Sequence, residues 1–154
     1  MTLVIRREPL TSAVARELIT ALNAELAAMY PEPGATHFRL EPEEVAEGRG
    51  AFMVALSQAT PVGCGALRVI DARTAELKRM YVAPAVRGQG IAGAVLGALE
   101  AEARRLGIQQ LVLETGIRQL AALALYRRSG YQAIPAFGEY VASPTTSVCL
   151  AKEL

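Results

Sequence analysis

The chain has no tryptophan, a single histidine and two cysteines, and only 5% of its 154 residues are aromatic. With one histidine and two distant cysteines, no metal-ligand spacing is present, and metal catalysis is not expected. Cys64 and Cys149 lie inside the apolar runs VGCGAL and SVCLAK and read as buried free thiols. Neither has a neighbouring histidine or a helix N-terminus to lower its pKa, which sets nucleophilic catalysis through sulfur aside. An excess of one charge is also missing. Sixteen basic and fifteen acidic residues leave +1, so no global field favours nucleic acid or an anionic membrane. No apolar run reaches the ~20 residues that span a bilayer. Arg6, Arg7 and Glu8 stand where a signal peptide would be apolar. The expectation is a cytoplasmic protein without nucleic-acid or membrane partners.

What is present is apolar content, 52% of the chain, enough for one sizeable core in a single domain over 1–154. Leu3 to Arg6 reads as a short strand, and Thr11/Ser12 offer a helix cap. Val14, Leu18, Leu22, Leu26 and Met29 then form one helical stripe, stopped by Pro31-Glu32-Pro33-Gly34. A loop to Gly50 has room for one short helix around Glu43 to Glu47. Ala51–Ser57, Val62–Ile70 and Ala75–Val82 read as strands of an antiparallel meander, with tight connections at Thr60-Pro61 and Asp71-Ala72-Arg73. Beyond Pro84 a glycine-rich loop precedes a helix with Ile91, Val95, Leu99 and Leu106 on one face, a surface Glu100–Arg104 pair, and Gly107 as C-terminal cap. Gln110–Glu114 as strand, Arg118–Ser129 as helix closed by Gly130, Tyr131–Ile134 and Thr146–Lys152 as strands complete a mixed α/β order.

The segment Val86-Arg87-Gly88-Gln89-Gly90-Ile91-Ala92 joins a strand to an amphipathic helix, where free N–H groups and the helix dipole favour an anion. Gly88 and Gly90 allow close backbone approach, and Arg87 adds a forked cation, which points to a phosphate-bearing guest. Gly88, Gly90 and Gly93 also satisfy the dinucleotide pattern G-x-G-x-x-G, with Glu114 at the end of the next strand. Against that reading, Ala83 to Arg87 separate the strand from its first glycine, and too little chain follows for further strand-helix units. The lysine-bearing phosphate loop G-x-x-x-x-G-K-[ST] is absent.

Arg87, Gly90 and Ala92 match Q/R-x-x-G-x-G/A, so the sequence resembles the GNAT superfamily of N-acetyltransferases. The preceding ELKRMYV strand and the later block Ala122, Leu125, Tyr126, Gly130, Tyr131 resemble two further motifs of that family, in the same order. The resemblance implies a mixed, mostly antiparallel sheet of six to seven strands flanked by about four helices. It also implies acetyl-CoA as cosubstrate, without a metal. On the same basis Arg87, Gly88, Gln89, Gly90, Ile91 and Ala92 would cradle the pyrophosphate. Main-chain groups of Met80, Tyr81 and Val82 would hold pantetheine and place an N–H near the thioester carbonyl. Gly93 and Gly97 are assigned to helix packing, without ligand contact.

Amine acylation needs a neutral nucleophile, a stabilised oxyanion and a proton for the departing thiolate. Gln119, Ala122 and Tyr126 share a helix face. By resemblance Tyr126 is the acid, and Gln119 stands where many relatives carry asparagine against the pantetheine. Glu76 occupies the position of a general base in several relatives; its plain alternative is a strand-edge pair with Lys78 or Arg79. Tyr30, His37, Glu139 and Tyr140 lie in segments that border the acceptor. The expected activity is direct acetyl transfer to a primary amine of a small molecule, with a peptide amine second. A CoA-binding module without turnover and an NAD-dependent oxidoreductase are the alternatives. The C-terminal strand offers a self-pairing edge for a homodimer.

Overall fold

The computed structural model describes residues 2–32, 39–142 and 145–154. Seven strands form one sheet: β1 (Leu3–Arg7), β2 (Gly50–Ser57), β3 (Thr60–Val69), β4 (Thr74–Val82), β5 (Gln110–Gly116), β6 (Gln132–Ile134) and β7 (Ser147–Glu153). Their spatial order is β1-β2-β3-β4-β5-β7-β6. Every neighbouring pair is antiparallel except β4 with β5. The α-helices of the described residues are α1 (Ala13–Met29), α2 (Ile91–Arg105) and α3 (Leu120–Arg128). Short 3₁₀ turns occupy Pro42–Val45, Pro84–Val86 and Gly138–Ala142, the first of them at the place expected for a fourth helix.

Local chemistry accounts for most boundaries. Ser12 caps α1 by accepting the Ala15 N–H at 3.0 Å, and the helix ends at Met29, just before Pro31. Gly107 and Gly130 take positive φ behind α2 and α3, as C-terminal stops require. The apolar stripe of α2, Val95, Leu96, Leu99 and Ala103, packs on Leu67, Leu77, Leu111 and Leu113 of the sheet. Leu123 and Tyr126 of α3 join this core. Ala15 and Leu18 of α1 cover a second core with Phe52, Val54, Cys64 and Ala66. Alternate β3 residues thus feed opposite faces, as a pleated strand buried on both sides must.

Three expectations need correction. The first hairpin turns at Gln58 and Ala59, at φ of 50° and 69°, rather than at Thr60-Pro61. Pro61 lies inside β3 opposite Leu56, beside the bulge at Ala55/Leu56 that tolerates its missing N–H. Glu100 accepts hydrogen bonds from Tyr131 Oη at 2.8 Å and Lys152 Nζ at 3.0 Å, a better-buried pairing than Arg104 offers on the helix surface. The C-terminal strand is not an edge, because β6 covers β7 and leaves β1 and β6 as the outer strands.

The parallel pair positions the site. β4 and β5 pair only from Thr74 to Leu77 against Gln110 to Leu113, then part. Arg79 sits at φ +58° where the β3–β4 register slips between Cys64 and Ala66. A left-handed non-glycine residue inside a strand is a bulge that bends the strand away from its neighbour. The result is a fork whose arms are Lys78–Val82 and Glu114–Gly116.

Candidate active site

Two cavities meet at this fork. A groove of about 590 Å³ runs between the end of β4, the start of α2 and one side of α3. This lies within the size range of ligand pockets. A smaller pocket of about 100 Å³ lies between α1, the fork and the Gly138–Ala142 turn. Met80, Gln119, Ala122 and Tyr126 line both, and so form the wall that the two share.

Backbone geometry makes the groove suitable for an anion. Gly88 and Gly90 both have φ of 82°, which side chains rarely adopt, and open space surrounds each. Gly90 caps α2 without any side-chain hydrogen bond. The first recorded bond into the helix is Ala94 N–H to Gly90 O at 3.1 Å. The turn before it therefore presents main-chain donors at the positive end of the helix dipole. Arg87, Arg118 and Arg128 line the same groove with Glu25; Arg87 pairs with Glu25, and Arg118 pairs with Glu32. In the ligand-free chain Arg87 is engaged with protein: it donates to Glu25 at 2.6 Å and to Val82 O at 2.9 Å, and lies over the Tyr81 ring at 5.9 Å.

Of the residues singled out for the cosubstrate, Met80, Tyr81, Val82, Arg87, Gly88, Gly90, Ile91, Ala92, Gln119 and Tyr126 line the groove; Gln89 does not. Gly93 lines it too. A side chain at Gly93 or Gly97 would meet nothing within 4 Å, so close helix packing explains neither glycine.

Tyr126 is buried at the shared wall, and its phenol is pushed well above the ordinary tyrosine range by burial and by the nearby Glu114 carboxylate. It stays protonated at neutral pH. Tyr30 and Tyr140 both line the small pocket. Tyr30 Oη accepts the Arg118 N–H at 2.9 Å, with the Arg118 guanidinium 5.0 Å from its ring centroid. Tyr140 donates its hydroxyl to Glu76, and burial together with that carboxylate raises its pKa.

Glu76 itself does not line the pocket; it is 1% exposed in β4, with Tyr140 as its link to the cavity. The expected partnership with Lys78 or Arg79 is replaced by Arg68 Nη2 at 2.9 Å. Arg68 stands directly opposite Glu76 across β3 and β4, whereas Lys78 lies two residues along and bonds Glu139 at 3.2 Å. Arg68 also reaches Glu44 at 3.3 Å. His37 lies outside the described residues.

Several lining residues escaped the sequence reading. Lys78, Arg79, Glu114, Thr115 and Gly116 all face the small pocket, and Glu114 accepts Ser147 Oγ at 2.6 Å. For Lys78 and Arg79 the signal existed in two cations side by side on an apolar strand. In the sequence Glu114 stands out only as the acidic residue at the end of the strand that follows the dinucleotide-like pattern. Among the described residues no group of three or more His, Cys, Asp or Glu is placed to hold a metal. No helix there is long and apolar enough to cross a membrane.

A mixed sheet opened by a bulge, with an uncapped glycine-flanked helix N-terminus at the opening, is an arrangement suited to a phosphate-bearing ligand. Comparison with known proteins agrees. The chain belongs to the GNAT family of acetyltransferases, whose family model, "Acetyltransferase (GNAT) family", matches residues 15–131. It is 37% identical over 142 residues to the IAA acetyltransferase of Azospirillum brasilense, covering 92% of this chain and 91% of that protein. A solved structure from Klebsiella pneumoniae, provisionally assigned as an acyl-CoA N-acyltransferase, is 36% identical with a TM-score of 0.83, covering 99% of this chain and 98% of that one. A GNAT family acetyltransferase from Elizabethkingia anophelis with acetyl-CoA bound shares the fold at 20% identity, with a TM-score of 0.72 over 99% and 98% of the two chains.

Proposed function

We propose that this acetyltransferase moves an acetyl group from acetyl-CoA to a primary amine of a small molecule, by direct transfer in a ternary complex. One observation carries the reading: groove and pocket share a wall of Met80, Gln119, Ala122 and Tyr126 at the fork of β4 and β5. A thioester laid in the groove and an amine in the pocket would face each other there. The acetyl-CoA held by a relative of the same fold supports the donor, and the kinship with an IAA acetyltransferase supports a small acceptor.

In this reading the main-chain donors from Gly88 to Ala92 and the Arg87 guanidinium hold the diphosphate. Arg128 adds positive charge along the groove, whereas the Arg118 guanidinium is paired with Glu32. Met80 and Val82 hold the pantetheine arm through backbone groups, with an N–H of the Met80–Tyr81 region facing the thioester oxygen. As the amine nitrogen bonds to the carbonyl carbon and the C–S bond breaks, Tyr126 gives its proton to the departing sulfur. Its raised pKa is no obstacle, because the same dry surroundings raise the pKa of the thiol. The proton shed by the amine passes to Tyr140 as Tyr140 hands its own to Glu76.

Calorimetry with acetyl-CoA, followed by thiol release over a panel of small amines with an amine-free blank, tests the proposal. Binding with amine-dependent release is expected. Binding without release from any amine leaves a CoA-binding module, and binding of NAD(H) in place of CoA overturns the assignment of the groove.

A further inference from the structure

The small pocket has an unusual charge pattern for a site that receives an amine. Its wall carries two cations, Lys78 and Arg79, and one carboxylate, Glu114. Both cations are nearly buried, at 8% and 7% exposure, so neither is a solvated surface charge that happens to lie nearby. Consecutive residues of a regular strand face opposite sides of a sheet. Here the left-handed turn of the backbone at Arg79 breaks the alternation, and four successive residues, Leu77 to Met80, line one cavity. The bulge therefore brings two neighbouring cationic residues to one cavity, where Lys78 Nζ pairs with Glu139 at 3.2 Å and the Arg79 guanidinium donates to Asn23 Oδ1.

We propose that the acceptor is an amino-carboxylate, with its carboxylate seated against Lys78 and Arg79 and its amine turned towards Glu114 and Tyr126. This rests on the acetyl-transfer reading above and narrows its substrate class. The cavity volume of about 100 Å³ equals roughly three water molecules. That room suits a head group with amine and carboxylate on the same or adjacent carbons. The Glu139 carboxylate sits 3.2 Å from Lys78 Nζ, and its side chain is 37% exposed. It occupies the place of the incoming carboxylate and can turn to solvent when one arrives.

The test uses matched series at several carbon skeletons: an amino acid, its carboxamide and the corresponding decarboxylated amine, each assayed by thiol release with saturating acetyl-CoA. The amino-carboxylates should show kcat/KM about 10- to 100-fold above their partners, the range of one charge-assisted hydrogen bond. Lys78→Met should raise KM for the amino-carboxylate by a similar factor and leave the carboxamide unaffected. Glu139→Gln should lower KM for the amino-carboxylate, and decides the matter with the wild-type series if Lys78→Met does not fold. Equal or better turnover of carboxamides and simple amines overturns the inference while leaving acetyl transfer intact. So does a Lys78→Met variant that raises KM equally for all. If no compound releases thiol, the acetyl-transfer reading fails, and thermal unfolding with CoA present judges the pocket separately. A midpoint raised by the amino-carboxylate and not by its carboxamide supports the seat, and no rise with either removes it.

Discussion

Replacing Gly116 by alanine should force the Tyr30 ring out of its place beside the small pocket. A methyl group there would overlap the phenol, with even the more distant Cε2 only 2.8 Å away, against at least 3.4 Å for an ordinary contact. Tyr30 has little room to retreat, being 4% exposed, and withdrawal breaks its 2.9 Å hydrogen bond from the Arg118 N–H. Overpacking of this kind costs about 1–3 kcal/mol, and the lost hydrogen bond adds about 1 kcal/mol. A loss of roughly 2–4 kcal/mol lowers Tm by roughly 5–15 °C in a chain of this size. Calorimetric unfolding of Gly116→Ala, Tyr30→Ala and the double variant provides the check. With the phenol gone the added methyl finds space, so the double variant should be no less stable than Tyr30→Ala alone. The KM for the acceptor should rise in Gly116→Ala, because both residues line the pocket. Additivity of the two substitutions to within about 0.5 kcal/mol would refute the contact as the reason for glycine.

Tyr126→Phe should cut kcat by roughly 10²-fold while leaving acetyl-CoA affinity nearly unchanged, measured by single-turnover thiol release; unchanged chemistry removes the hydroxyl from the acid role. Glu25→Gln should tighten CoA by about 2- to 5-fold at low salt, since it frees Arg87 from a half-exposed ion pair. Titration calorimetry should find the gain shrinking at high ionic strength, and weaker binding contradicts the argument. Burial pushes the Cys64 thiol from about 9 up to about 12. The folded chain keeps a proton that the unfolded chain releases between those values. The stabilisation is therefore whole below pH 9 and declines towards pH 12, by up to about 1.4 kcal/mol per pH unit. Urea midpoints at pH 8, 9.5 and 11 should fall less steeply in Cys64→Ala, and parallel slopes would discount the thiol.

Features set by a few adjacent residues were readable from sequence: the Ser12 cap, the apolar stripes of α1 and α2, the glycine stops at 107 and 130, and the loop before α2. The antiparallel order of β2, β3 and β4 followed from short turns between apolar runs. What escaped depends on partners distant along the chain. Arg68 meets Glu76 through strand register, and Tyr140 reaches the same carboxylate from 64 residues away. Gln58-Ala59 turns the hairpin without glycine or asparagine, so no turn chemistry announced it. The bulge at Arg79 is equally silent, since nothing in ELKRMYV marks where the alternation breaks. Because that break decides which residues line the pocket, the charged residues of its wall were the least legible part of the site. The apparent free edge at β7 was hidden for a related reason: three residues of β6, too short to carry much pattern, cover it.

The parting of β4 from β5 leaves the inner rims of two strands open within a single sheet, and the polar groups along those rims belong to the main chain. Under the proposed function, the pantetheine arm along Met80–Val82 is held through the spacing of these main-chain groups, and side-chain identity matters only nearer the pocket, at Lys78, Arg79 and Glu114. Point replacements along Met80–Val82 should therefore be forgiven wherever extended geometry survives. Deleting or inserting one residue ahead of the kink would swing every later group to the wrong side. A scan by residue exchange would rate this stretch unimportant, and a scan by length would find it among the least tolerant in the protein.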